Sequence, residues 1–136
     1  MSVDYEKLID KRSQVVFEAM EGRVPEEDMV RLHQAFDLAR HAHADQKRKT
    51  GEPYILHPIA VATICAKELM LSTNPVIAAF LHDVVEDTDF TIDDIESRFG
   101  HDVAFLVRVV TKQKKDKYDE SKQVDNYKQM LDSVQY

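Results

Sequence analysis

Pro75-Val76-Ile77-Ala78-Ala79-Phe80-Leu81-His82-Asp83-Val84-Val85-Glu86-Asp87 is the stretch that decides how this chain reads. An unbroken apolar run leads straight into a histidine and three carboxylates. Such a run belongs in a core. Charged groups adjoining it must be solvated, paired or bound to a cation, because an uncompensated buried carboxylate is too costly. Asp83 stands three residues before Glu86 and four before Asp87, and His82 four before Glu86, so on a helix these groups share a face. A solvated helix end is one account of them. Acids at the C-terminal end of a helix oppose its dipole, however, so three of them there call for a reason. A His-Asp pair beside further acids suits a divalent metal that activates water.

A metal needs ligands from elsewhere in the chain, and His57 is the natural distant partner. It follows Tyr54-Ile55-Leu56 and precedes Pro58, at the expected start of a helix with apolar neighbours. A lone histidine in that place is more often structural. Packing its helix against the one carrying His82 and Asp83 would bring two imidazoles and a carboxylate together. That donor set suits Mn²⁺, Fe²⁺ or Zn²⁺ better than Ca²⁺. His43 continues the apolar face of its helix and reads as a packed, hydrogen-bonded side chain, while His33 and His41 read as helix surface. His101-Asp102 repeats the dipeptide but follows Gly100 and reads as a helix start.

Lys47-Arg48-Lys49, followed by Thr50-Gly51-Glu52-Pro53, falls where a helix should end and a turn begin. The cations either complement a helix C-terminus or clamp an anion such as phosphate, for which a planar arginine is well suited. The rest of the chain narrows the classes of function. Its 136 residues fit one domain, of the common size of about 100–150 residues. A formal net charge of −7 argues against broad nucleic-acid binding, which needs a basic footprint. The longest apolar run, Pro75 to Leu81, is far too short for a bilayer. The acidic N-terminus does not resemble a signal peptide. Cys65 is the single cysteine, which excludes an internal disulfide and fits a reducing, cytoplasmic compartment.

The hydrophobic pattern is helical nearly throughout, and the expected fold class is all-α. Helices are expected from about Asp4 to Met20 and from Pro25 to the basic cluster, the latter burying Met29, Leu32, Phe36, Ala39 and His43 at spacings of three and four. A third begins near His57-Pro58 and runs to Leu69. Asn74-Pro75 reads as a cap and first residue of the helix that ends in the acidic motif. Thr91 with Asp94 gives a capping-box start to a short helix closed by Gly100. The remaining helices run from Asp102 to Thr111 and from Ser121 to Val134, with Lys112 to Glu120 as a loop between them. The stripe of Tyr127, Met130, Leu131 and Val134 stops abruptly, and the chain reads as a piece of something longer.

Lys47 to Pro58, followed by Leu81 to Thr88, closely resembles the hydrolase domain of the RelA/SpoT family. Val109 to Lys112 and Asn126 to Leu131 resemble its later segments. The resemblance covers residue 30 to the end, with its motifs over 30–131 of one HD-type domain spanning 1–136. It implies an all-helical HD-domain bundle that binds Mn²⁺ and removes pyrophosphate from the 3′ position of the guanosine polyphosphates ppGpp and pppGpp. Carried over by residue, it implies His57, His82 and Asp83 as metal ligands. Glu86 and Asp87 then position or activate the attacking water, and Arg48, Lys49 and Thr50 meet the substrate, with Thr50 standing where a serine is frequent.

The chemistry agrees with that assignment. A phosphate ester with adjacent negative charges needs cationic clamps, a Lewis acid and a base for the water proton. The family's fourth ligand is an aspartate in a motif resembling Leu-Ala-Asp-Arg-Leu-His-Asn, which would follow Tyr136. Asp125 and Asp132 are poor substitutes by alignment. This chain alone is therefore expected to be weak or inactive. Alternative readings are an HD phosphohydrolase acting on another nucleotide, and a non-catalytic module that binds alarmone or a partner. Neither nucleic acid nor membrane is an expected partner.

Overall fold

Sequence periodicity becomes helices packed around one apolar interior in the computed structural model, which describes residues 4–114. The elements are α1 (Tyr5–Met20), α2 (Glu26–Ala42), α3 (Leu56–Thr63), α4 (Thr73–Leu81), α5 (Val84–Asp87), α6 (Ile92–Phe99) and α7 (His101–Lys114). Among the described residues there is no strand, only two isolated bridges. The all-α expectation holds. No described helix is long and apolar enough to cross a membrane. The expected helix from Ser121 to Val134, with Asp125 and Asp132, lies outside the described residues.

The N-terminal halves of the helices follow local chemistry. Asp4 caps α1 by accepting from the Lys7 amide at 3.2 Å. Pro25 stands just outside α2 in extended geometry instead of inside it, and Glu26, Glu27 and Asp28 fill the first turn, where the dipole favours acids. The buried face of α2 is Leu32, Ala35, Phe36 and Ala39, with His43 buried at its end.

α2 ends at Ala42, short of the basic cluster, and two further helix boundaries differ from expectation. α4 begins at Thr73 with Ser72 as its cap, so Asn74 lies inside the first turn. Long-range partners take both side chains. The Thr73 hydroxyl donates to Asp28 Oδ2 at 3.0 Å, and Asn74 Oδ1 accepts from Arg31 Nη2 at 3.0 Å. These bonds fasten α4 to α2. Pro75 remains compatible, because the amides of a first turn have no helical acceptor. Second, α7 runs on through Lys114 where a loop was expected from Lys112.

α3 widens into a π-helical segment, Ile64–Glu68, before the chain turns at Met70 with φ 54°. Arg23 donates to the Ala66 and Leu71 carbonyls, each at 2.9 Å, which satisfies acceptors that the widened end leaves open. Cys65 is buried there, and burial pushes its thiol up to about 12.

α6 carries the capping box as expected. The Asp94 amide donates to Thr91 Oγ1 at 3.1 Å, and the Thr91 amide donates to Asp94 Oδ2 at 2.9 Å. Thr91→Ala is expected to lower stability by about 1 kcal/mol, read from the urea midpoint. An unchanged midpoint would show that the box contributes nothing to the folded chain.

The centre of the core is Phe80 on α4, flanked by Phe17 of α1 and Phe36 of α2 at centroid distances of 6.2 and 5.7 Å. Every residue of α4 from Pro75 to Leu81 is buried. The helix therefore runs through the interior and delivers the next two residues, His82 and Asp83, into a buried place.

Candidate metal centre

The chain does not continue as one helix through the acidic motif. α4 stops at Leu81, His82 and Asp83 form the joint, and Asp83 leads into the single turn of α5. Glu86 and Asp87 thus stand on a separate turn, not on the end of α4 as the spacing suggests. The Asp87 amide donates to the Asp83 carbonyl at 2.9 Å, so the three-and-four spacing still keeps the acids on one turn. Their sides differ. Asp83 is wholly buried, whereas Glu86 and Asp87 are exposed at the rim.

His57 enters from the first turn of α3 and is buried along with its chain neighbours Ile55, Leu56 and Ile59. His57, His82 and Asp83 each offer one ligating atom, and these atoms lie within 4.8 Å of one another. Both imidazoles face the same carboxylate oxygen. Asp83 Oδ2 is 3.4 Å from His57 Nε2 and 3.1 Å from His82 Nε2.

The arrangement fits a cation. His82 Nδ1 lies 2.6 Å from the Ala79 carbonyl, an acceptor that requires the ring hydrogen on Nδ1. In the neutral ring His82 Nε2 then carries the lone pair, facing a carboxylate. Two electron-rich atoms at that range repel in a buried site unless a positive charge joins them. A histidine whose outer nitrogen donates to a backbone carbonyl while the inner nitrogen faces a carboxylate is the usual order of a metal ligand.

Tyr54 is the residue that spacing did not single out. Its hydroxyl donates to Asp83 Oδ2 at 2.8 Å and is also within hydrogen-bonding reach of the Asp87 carboxylate. Burial, and then the charge of Asp83, holds this phenol protonated far above the ordinary tyrosine range. Tyr54 is therefore a hydrogen-bond donor at any physiological pH. Its ring lies between His43 and His57, at centroid distances of 5.0 and 5.7 Å. The signal available in the sequence was its place, three residues before His57 at the end of the basic loop.

His43 is packed and hydrogen-bonded, as expected, with Nδ1 against Gln46 Oε1. His41 is exposed. His33 is exposed too, but its ring stacks on Phe17 at 3.8 Å. His101 is exposed beside Glu96 and opens α7.

The basic loop stands on the same framework. Lys47 bridges to Pro53, the Arg48 amide donates to the Glu52 carbonyl at 2.8 Å, and Gly51 turns the chain at φ 91°. Arg48, Lys49 and Thr50 are all exposed on this loop. Its two roots are joined, since the Tyr54 amide donates to the Gln46 carbonyl at 2.9 Å. Both roots reach the acidic motif. Gln46 Nε2 donates to the Asp87 carbonyl at 3.2 Å, and Tyr54 reaches Asp83. The sequence-predicted residues thus divide into a buried trio, a rim pair of acids, and an exposed cationic loop rooted on the acidic turn.

The chain is similar to known proteins. The HD domain model matches residues 35–135. A guanosine-3′,5′-bis(diphosphate) 3′-pyrophosphohydrolase of Aquifex aeolicus is 49% identical over 100 residues, covering 74% of this chain and 14% of that protein. The bifunctional (p)ppGpp synthase/hydrolase SpoT of Escherichia coli is 47% identical over 110 residues, covering 79% of this chain and 16% of that protein. The chain therefore spans about one-seventh of the length of these curated relatives. A solved structure of a metazoan ortholog of SpoT, described as hydrolyzing ppGpp, is 40% identical with a TM-score of 0.57, over 60% of this chain and 47% of that one.

Proposed function

The chain belongs to the HD-domain family, and from that premise we propose that it carries the hydrolytic site of a guanosine-3′,5′-bis(diphosphate) 3′-pyrophosphohydrolase that uses Mn²⁺. The observation that carries this reading is the buried trio of His57, His82 and Asp83 at the foot of an exposed acid pair and a cationic loop. The relatives at 47–49% identity are named as a guanosine-3′,5′-bis(diphosphate) 3′-pyrophosphohydrolase and a (p)ppGpp synthase/hydrolase.

His57, His82 and Asp83 would hold the cation; two imidazoles with one carboxylate accept Mn²⁺, Fe²⁺ or Zn²⁺, and the family resemblance favours Mn²⁺ among them. When bound, a divalent cation supplies a Lewis acid for phosphate oxygens and a more acidic water. The other residues do the rest. Arg48 and Lys49 offset the charge of the guanosine polyphosphate, and the Thr50 hydroxyl adds a neutral donor. Glu86 and Asp87, exposed and ionisable at the rim, accept the proton that the attacking water loses. The water oxygen bonds to the phosphorus nearest the ribose. The bond from that phosphorus to the 3′ oxygen breaks, the acid pair returns the proton to the 3′ oxygen, and pyrophosphate is released with the water oxygen in it.

Pyrophosphate release from ppGpp with added Mn²⁺ tests the reading, beside Glu86→Ala. Removal of a positioned base is expected to lower turnover about 10²–10⁴-fold, with Mn²⁺ binding kept, since Glu86 lies outside the trio. Equal turnover in the variant would remove Glu86 from the mechanism. A panel of other nucleotides separates this substrate from a general HD phosphohydrolase, and Mn²⁺-dependent binding of ppGpp without release would mark a binding module.

A further inference from the structure

Tyr54 stands between two carboxylates with separate tasks, Asp83 and Asp87, and one hydrogen serves both. A phenol has a single O–H to donate. Asp83 Oδ2 accepts it at 2.8 Å, and Asp87 is a second carboxylate within its reach. The accepting oxygen of Asp83 is also the one that faces both imidazoles. We propose that Tyr54 is a positioning residue that couples cation binding at Asp83 to the placement of the acid Asp87.

The proposal rests on the reading that the trio holds a divalent cation. Ligation draws charge from the Asp83 carboxylate and makes it a weaker acceptor, so the hydroxyl hydrogen turns towards Asp87. Before loading, the same hydrogen steadies a wholly buried carboxylate.

Tyr54 is held so that little else can move. Its ring packs between His43 and His57, and its amide is bonded to the Gln46 carbonyl. Gln46 is bonded through its side chain to His43 and to the Asp87 carbonyl. The phenol oxygen is thus fixed relative to the acidic turn from both roots of the loop, and reorienting its hydrogen is the motion left to it.

The test is Tyr54→Phe, which keeps the ring and removes the hydroxyl. Mn²⁺ affinity, measured by calorimetry on the full chain, is expected to weaken about 10–100-fold, the usual effect of losing a group that orients a ligand. At saturating Mn²⁺, kcat for ppGpp is expected to fall with KM unchanged, because Asp87 loses its fixed position. Far-UV circular dichroism verifies the fold of the variant. Equal Mn²⁺ affinity in the folded variant and the parent overturns the role of Tyr54 while leaving the cation site standing. A parent chain that binds no Mn²⁺ overturns the cation site itself.

If Tyr54→Phe does not fold, the parent is titrated with Zn²⁺, which is spectroscopically silent, and its tyrosine ultraviolet difference spectrum is monitored. A difference band that saturates with the binding isotherm supports the coupling. A flat spectrum during binding overturns it.

Discussion

Whatever Mn²⁺-dependent pyrophosphate release this chain shows is expected to fall by about 10³-fold or more in Asp83→Asn, with the metal-free fold at least as stable as the parent. The first effect follows from the loss of the only negative charge in the buried trio, because cation assistance contributes several kcal/mol to such reactions. The second runs against the usual direction for a core substitution. Asp83 is fully enclosed beside Tyr54, His57 and His82. A neutral amide there carries no charge to desolvate. Its NH₂ can donate to an imidazole lone pair, and its carbonyl can still accept from Tyr54. Thermal melts with and without Mn²⁺ read both effects. The parent gains about 2.7 kcal/mol at a cation concentration 100 times Kd, and the variant is expected to gain nothing. A variant that melts far below the metal-free parent would show that Asp83 serves the fold first and a cation second.

Phe80→Ala is expected to remove about 3–5 kcal/mol of stability. Phe80 is completely buried and touches rings from two other helices, at 5.7 and 6.2 Å. A small domain has only about 5–15 kcal/mol in total, so the variant approaches the limit of folding. The loss should appear as a lower urea midpoint with an unchanged slope. It should also be partly recovered by Mn²⁺, since α4 carries the joint that holds His82 and Asp83. A cost below about 1 kcal/mol would mean that the neighbouring rings collapse into the space, and that the centre of the core lies elsewhere.

Much of this arrangement is legible in the chain because it is local. The spacing of Leu32, Phe36 and Ala39 announces a buried helical face, and Thr91 with Asp94 announces a cap whose partners are three residues apart. The trio was legible for a different reason. Two imidazoles and a carboxylate in apolar surroundings have few uses, so the residues already pair His57 with His82 and Asp83, and the resemblance implies the same pairing.

The features that escaped are non-local. The α4 start was misplaced because Thr73 and Asn74 spend their side chains on Asp28 and Arg31, far away in sequence. The break after Leu81 was not visible, since no glycine or proline marks it and the motif keeps helical spacing on both sides. The π-helical turn at Ile64–Glu68 likewise leaves no mark in composition. Tyr54 and Gln46 look like ordinary loop ends until folding sets them against Asp83 and Asp87.

The closed neck of the basic loop has a consequence for how such a protein diverges. Gln46 and Tyr54 are bonded to each other and to the acidic turn, so the tip from Lys47 to Pro53 hangs from a frame that does not depend on what the tip contains. With the loop in its proposed role, drift at Arg48, Lys49 or Thr50 changes which anion is welcomed without disturbing the donors below. Ligand recognition and the buried donor set become separately heritable, and lineages can try new ligands above an unchanged floor. Drift at the two neck residues has no such freedom, because it alters both at once.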